Sequence, residues 1–127
     1  MIGRTEGMLQ KEVLSAAPIG AYTIATFGAD DDHFQMASSG NQRLIGVFQY
    51  AVNAAEMRVR VAMDGISQVT ISGSVNRGDW ITSDENGCGI TADPSPGEDM
   101  NVIGIAVNSG VAPHVVGVLV HPDTIQG

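Results

Sequence analysis

The sequence feature that most constrains the fold is a series of short runs in which every second side chain is apolar. Val59, Val61 and Met63 form one such run, and residues 116–120 form another. A period of two places alternate side chains on one face of a strand, whereas an amphipathic helix needs a period of 3.6 residues. The chain is therefore predicted to be built from strands.

From residue 21 onward the chain reads as nine short strand segments, and Gly, Asn and Asp fill the intervals between them. The sequence has 16 glycines in 127 residues, well above the ordinary frequency of about 7%. Short strands with regular turn signals predict an all-β fold, here a small β-sandwich or barrel-like body. The predicted strands are 21–27, 33–37, 43–49, 57–63, 68–72, 79–83, 88–92, 100–107 and 114–121.

Two of these segments carry the same short motif. Gly46 follows Leu-Ile and precedes Val, and Gly104 follows Val-Ile and precedes Ile. Each glycine is followed by a stretch rich in Ala, Asn and Gly and then by one of the two alternating strands. We interpret this repeat as architectural, with Gly46 and Gly104 as packing and turn residues rather than site residues.

Residues 1–20 have a different character, because a short apolar segment with charges precedes Pro18 and Gly20. We predict an N-terminal arm over residues 1–20, with at most one or two helical turns near residues 8–14, and a single β domain over residues 21–127. The alternative is a disordered terminus. An arm of this kind could become ordered on a partner surface, and the candidate contact residues are Met8, Leu9, Val13, Leu14 and Ile19.

The charge balance argues against nucleic acid and membranes as partners. The chain has six Lys and Arg residues and 14 Asp and Glu residues, which gives a formal net charge of −8. Nucleic acids and anionic membranes are bound by cationic surfaces. No apolar run approaches the ~18 residues that span a bilayer, and no apolar segment behind Arg4 indicates a secretory signal.

The composition also bears on assembly. One domain is expected for 127 residues, but aromatics make up only 5% of the chain and the mean hydropathy is +0.10. A core of small side chains with apolar surface left over favours oligomerisation or docking. The single cysteine, Cys88, has no internal disulfide partner, which fits synthesis in a reducing cytoplasm.

The acidic cluster Asp30, Asp31 and Asp32, followed by His33, invites a metal interpretation. Consecutive residues of an extended loop point in opposing directions, whereas a calcium loop needs alternating ligands and a distant bidentate acid. A solvated loop tip is the better interpretation. The isolated histidines His114 and His121 give no zinc pattern and are expected to cap the two ends of the last strand.

No nucleophile motif such as Gly-x-Ser-x-Gly is present. We therefore predict no catalytic, cofactor-binding or metal-binding residue. The Arg77-Gly78-Asp79 tripeptide is interpreted as a turn in which Asp79 bonds back to a backbone N–H, not as an adhesion motif. Asn86-Gly87 is predicted to form a hairpin turn. Cys88 is expected to be a small buried residue, and Trp80 to anchor the core or a subunit contact.

The order of elements from Leu44 to Pro122 resembles that of the head-decoration, or capsid-cement, proteins of tailed bacteriophages. That family has a Gly-Val/Ile strand, an alternating strand that ends in Gly, a Gly-Asp turn with a Thr/Ser-Asp-x-x-Gly hairpin, an Ile-Gly-Ile/Val-Ala strand and a final alternating strand near a Pro. The matching segments here are 45–47, 59–65, 78–87, 102–106 and 116–122.

The resemblance implies a non-enzymatic role on the virion. Such a protein is made in the bacterial host cytoplasm, binds the major capsid protein on the outside of the expanded head, and stabilises the head against internal DNA pressure. It implies a homo-oligomer, with a trimer favoured over a dimer, and no cofactor. We expect residues 1–20 and neighbouring loops to face the capsid, and the β body to make the subunit contacts.

Three alternatives stay open at this point. A tail or baseplate β domain belongs to the same structural class. A small ligand-binding module, such as a carbohydrate-binding domain, would present several exposed aromatic side chains, but the chain has only two Tyr and one Trp. An enzyme with a loop-built site would require a clustered nucleophile and base.

Overall fold

The computed structural model describes residues 10–127 of the chain, and this part contains ten strands. This part is all-β, as the sequence predicts, and contains no helix of the length and apolar character needed to cross a membrane. The strands are β1 (Gln10–Ser15), β2 (Ile24–Phe27), β3 (His33–Met36), β4 (Gly46–Phe48), β5 (Arg58–Ala62), β6 (Gly65–Thr70), β7 (Trp80–Ser83), β8 (Gly89–Thr91), β9 (Asp99–Ala106) and β10 (Val115–Gln126).

The nine predicted strands overlap β2 to β10, one for one, and β1 is the strand that the sequence did not predict. The expected helical turn is wrong for residues 10–14, which are extended. Lys11 and Val13 face Val61 and Val59 across the β1–β5 pair. The charged Lys11 thus takes a position where the period-two pattern would show an apolar residue, which concealed the strand. Residues 1–9 lie outside the described part, and the domain division at residue 20 stays a prediction.

The first half of the described chain is a closed five-stranded barrel in the order β1-β3-β2-β4-β5. β1 runs parallel to β3 and antiparallel to β5, which closes the barrel. The interior is apolar. Its buried side chains are those of Val13, Ile19, Ala25, Phe34, Ile45, Phe48, Val52, Val59 and Val61.

The second half is a five-stranded sheet in the order β6-β10-β9-β7-β8. A parallel bridge between Ile71 and Gly89 draws the two edges of this sheet towards each other. β10 runs on to Gln126, and its pairing with β9 shifts register after Val120. His114 directly precedes β10, but His121 lies within it, so the prediction that His121 caps the end of the last strand is wrong.

The two halves share a core because β2 and β4 are buried on both faces. Ala25 and Phe48 point into the barrel, whereas Ile24 and Val47 pack with the buried side chains of the sheet. The sheet contributes Val69, Ile71, Val75, Ile81, Ile103, Ala106, Val116, Val118 and Val120 to this second cluster. The second cluster therefore joins the two halves through buried side chains of both.

The glycine repeat identified in the sequence corresponds to one strand pair in each half. β4, which begins at Gly46, pairs antiparallel with β5, and β9, which contains Gly104, pairs antiparallel with β10. A Cβ atom on Gly46 would lie 2.5 Å from the Ala62 carbonyl oxygen, and one on Gly104 would collide with the Leu119 carbonyl oxygen. Both glycines therefore allow a close approach of backbones.

Candidate interaction surfaces

One end of the barrel carries a three-residue ionic cluster centred on His33, the first residue of β3. Its Nδ1 lies 2.6 Å from Asp30 Oδ1, and its Nε2 lies 2.7 Å from Glu56 Oε2. Asp30 belongs to the β2–β3 loop, where its Oδ1 also accepts a 3.1 Å hydrogen bond from the Asp32 N–H. Glu56 belongs to the loop before β5 and has a φ of 64°. The cluster ties these two loops together.

The two carboxylates determine the protonation state of the histidine. Hydrogen bonds to Asp30 and Glu56 raise the pKa of His33 to about 9. The bond from His33 lowers the pKa of Asp30. At neutral pH the cluster is therefore a cation between two anions. Both ring nitrogens are occupied by carboxylates, and within residues 10–127 no group of three or more His, Cys, Asp and Glu side chains is arranged to hold a metal ion.

Two recesses adjoin this cluster on the barrel. A cleft of about 230 Å³ is lined by Lys11, Glu12, Val13, Leu14, Asp31, Asp32 and Arg58. Within it, Arg58 Nη1 lies 2.9 Å from Glu12 Oε1. A shallow recess of about 410 Å³ next to it includes Lys11, Phe27, Phe34 and the loop of residues 28–31. The barrel end thus presents both signs of charge together with apolar surface.

Phe27 is the most exposed aromatic side chain of this barrel end. It is 53% exposed, and its ring packs edge-on against Phe34, with ring centroids 5.6 Å apart. Phe34 is buried in the barrel. An exposed aromatic ring held by a buried one is a rigid apolar contact point of the kind that is enriched at protein interfaces.

The predicted contact residues of the N-terminal segment occupy different environments. Val13 and Ile19 are 5% and 3% exposed and fill the barrel core. Leu14 is half-buried and lines the cleft. Met8 and Leu9 lie outside the described residues. Val13 also lines the cleft, but Leu14 is the more exposed of the two. The role of Leu14 in capsid contact stays a prediction.

The Arg77-Gly78-Asp79 tripeptide is part of a structural turn, as predicted. Asp79 Oδ2 accepts hydrogen bonds from the Asn76 N–H at 2.9 Å and from the Thr91 hydroxyl at 3.0 Å. Gly78 has a φ of 95°, in the left-handed region that favours glycine. The carboxylate of Asp79 is thus committed to the turn.

The Asn86-Gly87 turn joins β7 to β8, which pair antiparallel, so the predicted hairpin is confirmed. Cys88 follows this turn and is half-buried rather than fully buried. Burial and the nearby Asp84 raise the pKa of its thiol. The thiol is therefore protonated at neutral pH and is a weak nucleophile.

Sequence reasoning did not identify the partnership of His33 with Glu56. These residues are 23 positions apart, and no local pattern relates them. The pairing arises because the barrel brings the β2–β3 loop beside the loop that leads into β5.

No protein-family model matches the chain, and no curated protein matches it. The fold is similar to a solved structure, the head fiber gp8.5 N base of bacteriophage phi29, with a TM-score of 0.68. The two chains share a fold. The match covers 90% of this chain and 94% of the phage chain, at 20% sequence identity. It spans both halves of the molecule, so the combination of barrel and sheet is shared, and not one half alone.

Proposed function

We propose that this protein is a non-enzymatic structural component of a bacteriophage virion, located on the outside of the head. The observation that supports this proposal most strongly is the fold shared over 90% of the chain with a head-fibre base. The order of sequence elements between Leu44 and Pro122 points to the same class of protein independently of that match.

In its finer form, the proposal is that the protein decorates the expanded head and cements neighbouring copies of the major capsid protein. A ligand that binds only the expanded shell stabilises that shell in proportion to ln(1 + [L]/Kd) at each site. A homo-oligomer, with a trimer favoured over a dimer, would add avidity because several weak contacts engage together. No cofactor takes part in this role.

The barrel end is the surface that we assign to the capsid contact. It combines the exposed ring of Phe27 with the cleft that contains Lys11, Leu14 and Arg58. The His33 cluster holds two of its loops in place. A rigid surface with mixed charge and an aromatic contact point can select one partner orientation without a large area.

The test is binding to expanded heads that were assembled without this protein. Deletion of residues 1–20 would remove β1 from the barrel, so point substitutions are the better tool. Lys11→Glu reverses a charge in the cleft, and Arg77→Glu reverses another exposed charge in the other half of the molecule. We expect Lys11→Glu to lower occupancy in co-sedimentation with heads, and Arg77→Glu to bind like the wild type. Equal occupancy for both variants would overturn the assignment of the barrel end.

The matched structure is the base of a head fibre, which favours a second candidate role, the anchoring of a projecting structure. The two roles differ in their effect on the head. A cement protein raises the temperature at which heads release their DNA, whereas an anchor leaves that temperature unchanged. Thermal release of DNA from decorated and undecorated heads separates them.

A further inference from the structure

The outer face of the sheet carries a row of apolar side chains that the proposed capsid contact does not use. Ile66 of β6 lies opposite Leu119 of β10. Leu119 lies opposite Ile105 of β9, and Ile105 lies opposite Trp80 of β7. Residues directly opposite one another in neighbouring strands share a face of the sheet. One continuous apolar row therefore crosses four strands.

The row is accessible to solvent. Ile66 is 57% exposed and Leu119 is 44% exposed, and Val107, beyond the end of β9, is 39% exposed. Gly117 lies between these side chains, since a Cβ atom there would be 2.9 Å from Val107 Cγ2 and 3.8 Å from Ile66 Cγ2. Gly117 itself adds no side chain to the face.

The charge distribution indicates what covers this face. Residues 64–127 contain eight acidic residues and one Arg. The strand segments that form the face, residues 65–70, 80–83, 100–107 and 115–121, contain no Asp, Glu, Lys or Arg. A basic partner would have no carboxylate to pair with in these strand segments. Two copies of this acidic half repel each other overall. The uncharged face is where they can approach with the least repulsion, and interface cores are depleted of charged residues.

We propose that this face packs against neighbouring copies of this chain. Strands about 4.8 Å apart and about seven residues long give a face on the order of 300–400 Å² per copy. Stable complexes usually bury about 800 Å² per partner. The contact is therefore weak in free solution and becomes effective when the head holds copies close together. In this respect the inference rests on the proposed function, but self-contact is measurable without heads.

The first test traps the contact chemically. Cysteine is placed at position 119 or at position 57 in a Cys88→Ser background. A short crosslinker that reacts with two thiols is then added to the purified full-length protein. Met57 is a matched control, because it is 39% exposed but lies on the barrel. We expect Leu119→Cys to be linked between copies much faster than Met57→Cys. Equal rates for the two variants would overturn the proposed contact.

The second test measures the association itself, by sedimentation over a concentration series. Leu119→Asp adds a carboxylate to the face, and Met57→Asp adds the same charge to the barrel. We expect Leu119→Asp to weaken association by about tenfold or more, and Met57→Asp to leave it unchanged. Wild type that stays monomeric, with no preferential linkage at position 119, would contradict the inference.

Binding to heads is scored separately, so the two proposals can fail independently. Self-contact without binding to heads would leave this inference in place and overturn the proposed function. Loss of head binding in Leu119→Asp, without any linkage between copies at position 119, would assign the face to the capsid and overturn the self-contact.

Discussion

The barrel and the sheet have similar cores but very different surfaces. Residues 10–63 carry four Lys or Arg against five Asp or Glu, whereas residues 64–127 carry one Arg against eight acidic residues. On the barrel, opposite charges meet in the Glu12–Arg58 pair and in the cluster around His33. On the sheet, the strand segments that form the outer face contain no Asp, Glu, Lys or Arg and carry exposed apolar side chains. The same all-β architecture therefore presents one surface with mixed charge and one uncharged face with an apolar row.

This difference fits the separate tasks that we propose for the two halves. A surface with paired charges and an exposed ring is suited to recognising a different protein in one orientation. An uncharged face with exposed apolar side chains is suited to contact with a second copy. The shared core couples the two surfaces, because Ile24 and Val47 of barrel strands lie in the cluster that the sheet buries. The predictions that follow test this coupling and this division, from the largest expected effect to the smallest.

The largest effect is expected from a cavity in the barrel core. Phe48 is fully buried, and Phe48→Ala should lower the free energy of unfolding by about 3–5 kcal/mol. Because the halves share a core, urea unfolding followed by the fluorescence of Trp80, in the sheet, should shift together with the far-UV circular dichroism signal. A Trp80 transition that stays in place while the circular dichroism transition moves would mean that the halves unfold independently.

A smaller effect is expected from the strand pair of the sheet. Gly104→Ala places a methyl group against the Leu119 carbonyl oxygen, whereas a Cβ on Gly73 would have open space around it. We expect Gly104→Ala to lower the free energy of unfolding by about 1–3 kcal/mol. Gly73→Ala should change it by less than about 0.5 kcal/mol. Similar urea midpoints for the two variants would show that β9 and β10 do not need their close approach.

The ionic cluster of the barrel should make stability depend on pH. The pKa of His33 is raised to about 9, so its contribution is fully present below the unfolded pKa of about 6.5 and is lost as pH rises through about 9. The difference in urea midpoint between wild type and His33→Gln should therefore shrink between pH 6 and pH 10. An NMR titration of His33 with a midpoint near 6.5 would contradict the cluster.

The smallest effect is expected at the exposed ion pair of the barrel. The Arg58 and Glu12 side chains are 76% and 47% exposed, and such pairs contribute at most about 1 kcal/mol. Arg58→Ala should therefore leave the urea midpoint nearly unchanged while it reduces the occupancy of heads. A large loss of stability in this variant would show that the pair supports the fold rather than recognition.

The sequence was sufficient to predict the strands of the sheet and most of those of the barrel, because turn residues separate short apolar segments, some of which alternate in chain order. It did not reveal β1, in which Lys11 interrupts the alternation, or the closure of the barrel, which depends on the pairing of β1 with β3 and β5. Both surfaces depend on residues that are distant in the sequence. Glu56 meets His33, and Trp80 joins a row with Ile66, only through the fold.

Direct imaging of decorated heads is the most decisive measurement. Purified protein is added to expanded heads that were assembled without it, and the particles are imaged by electron cryomicroscopy. We predict uniform extra density at symmetry-related sites on the outer surface, with the barrel end towards the capsid and the uncharged sheet face of each copy towards a neighbouring copy. Heads without added density, or copies attached through the sheet face, would contradict the division of tasks between the two halves.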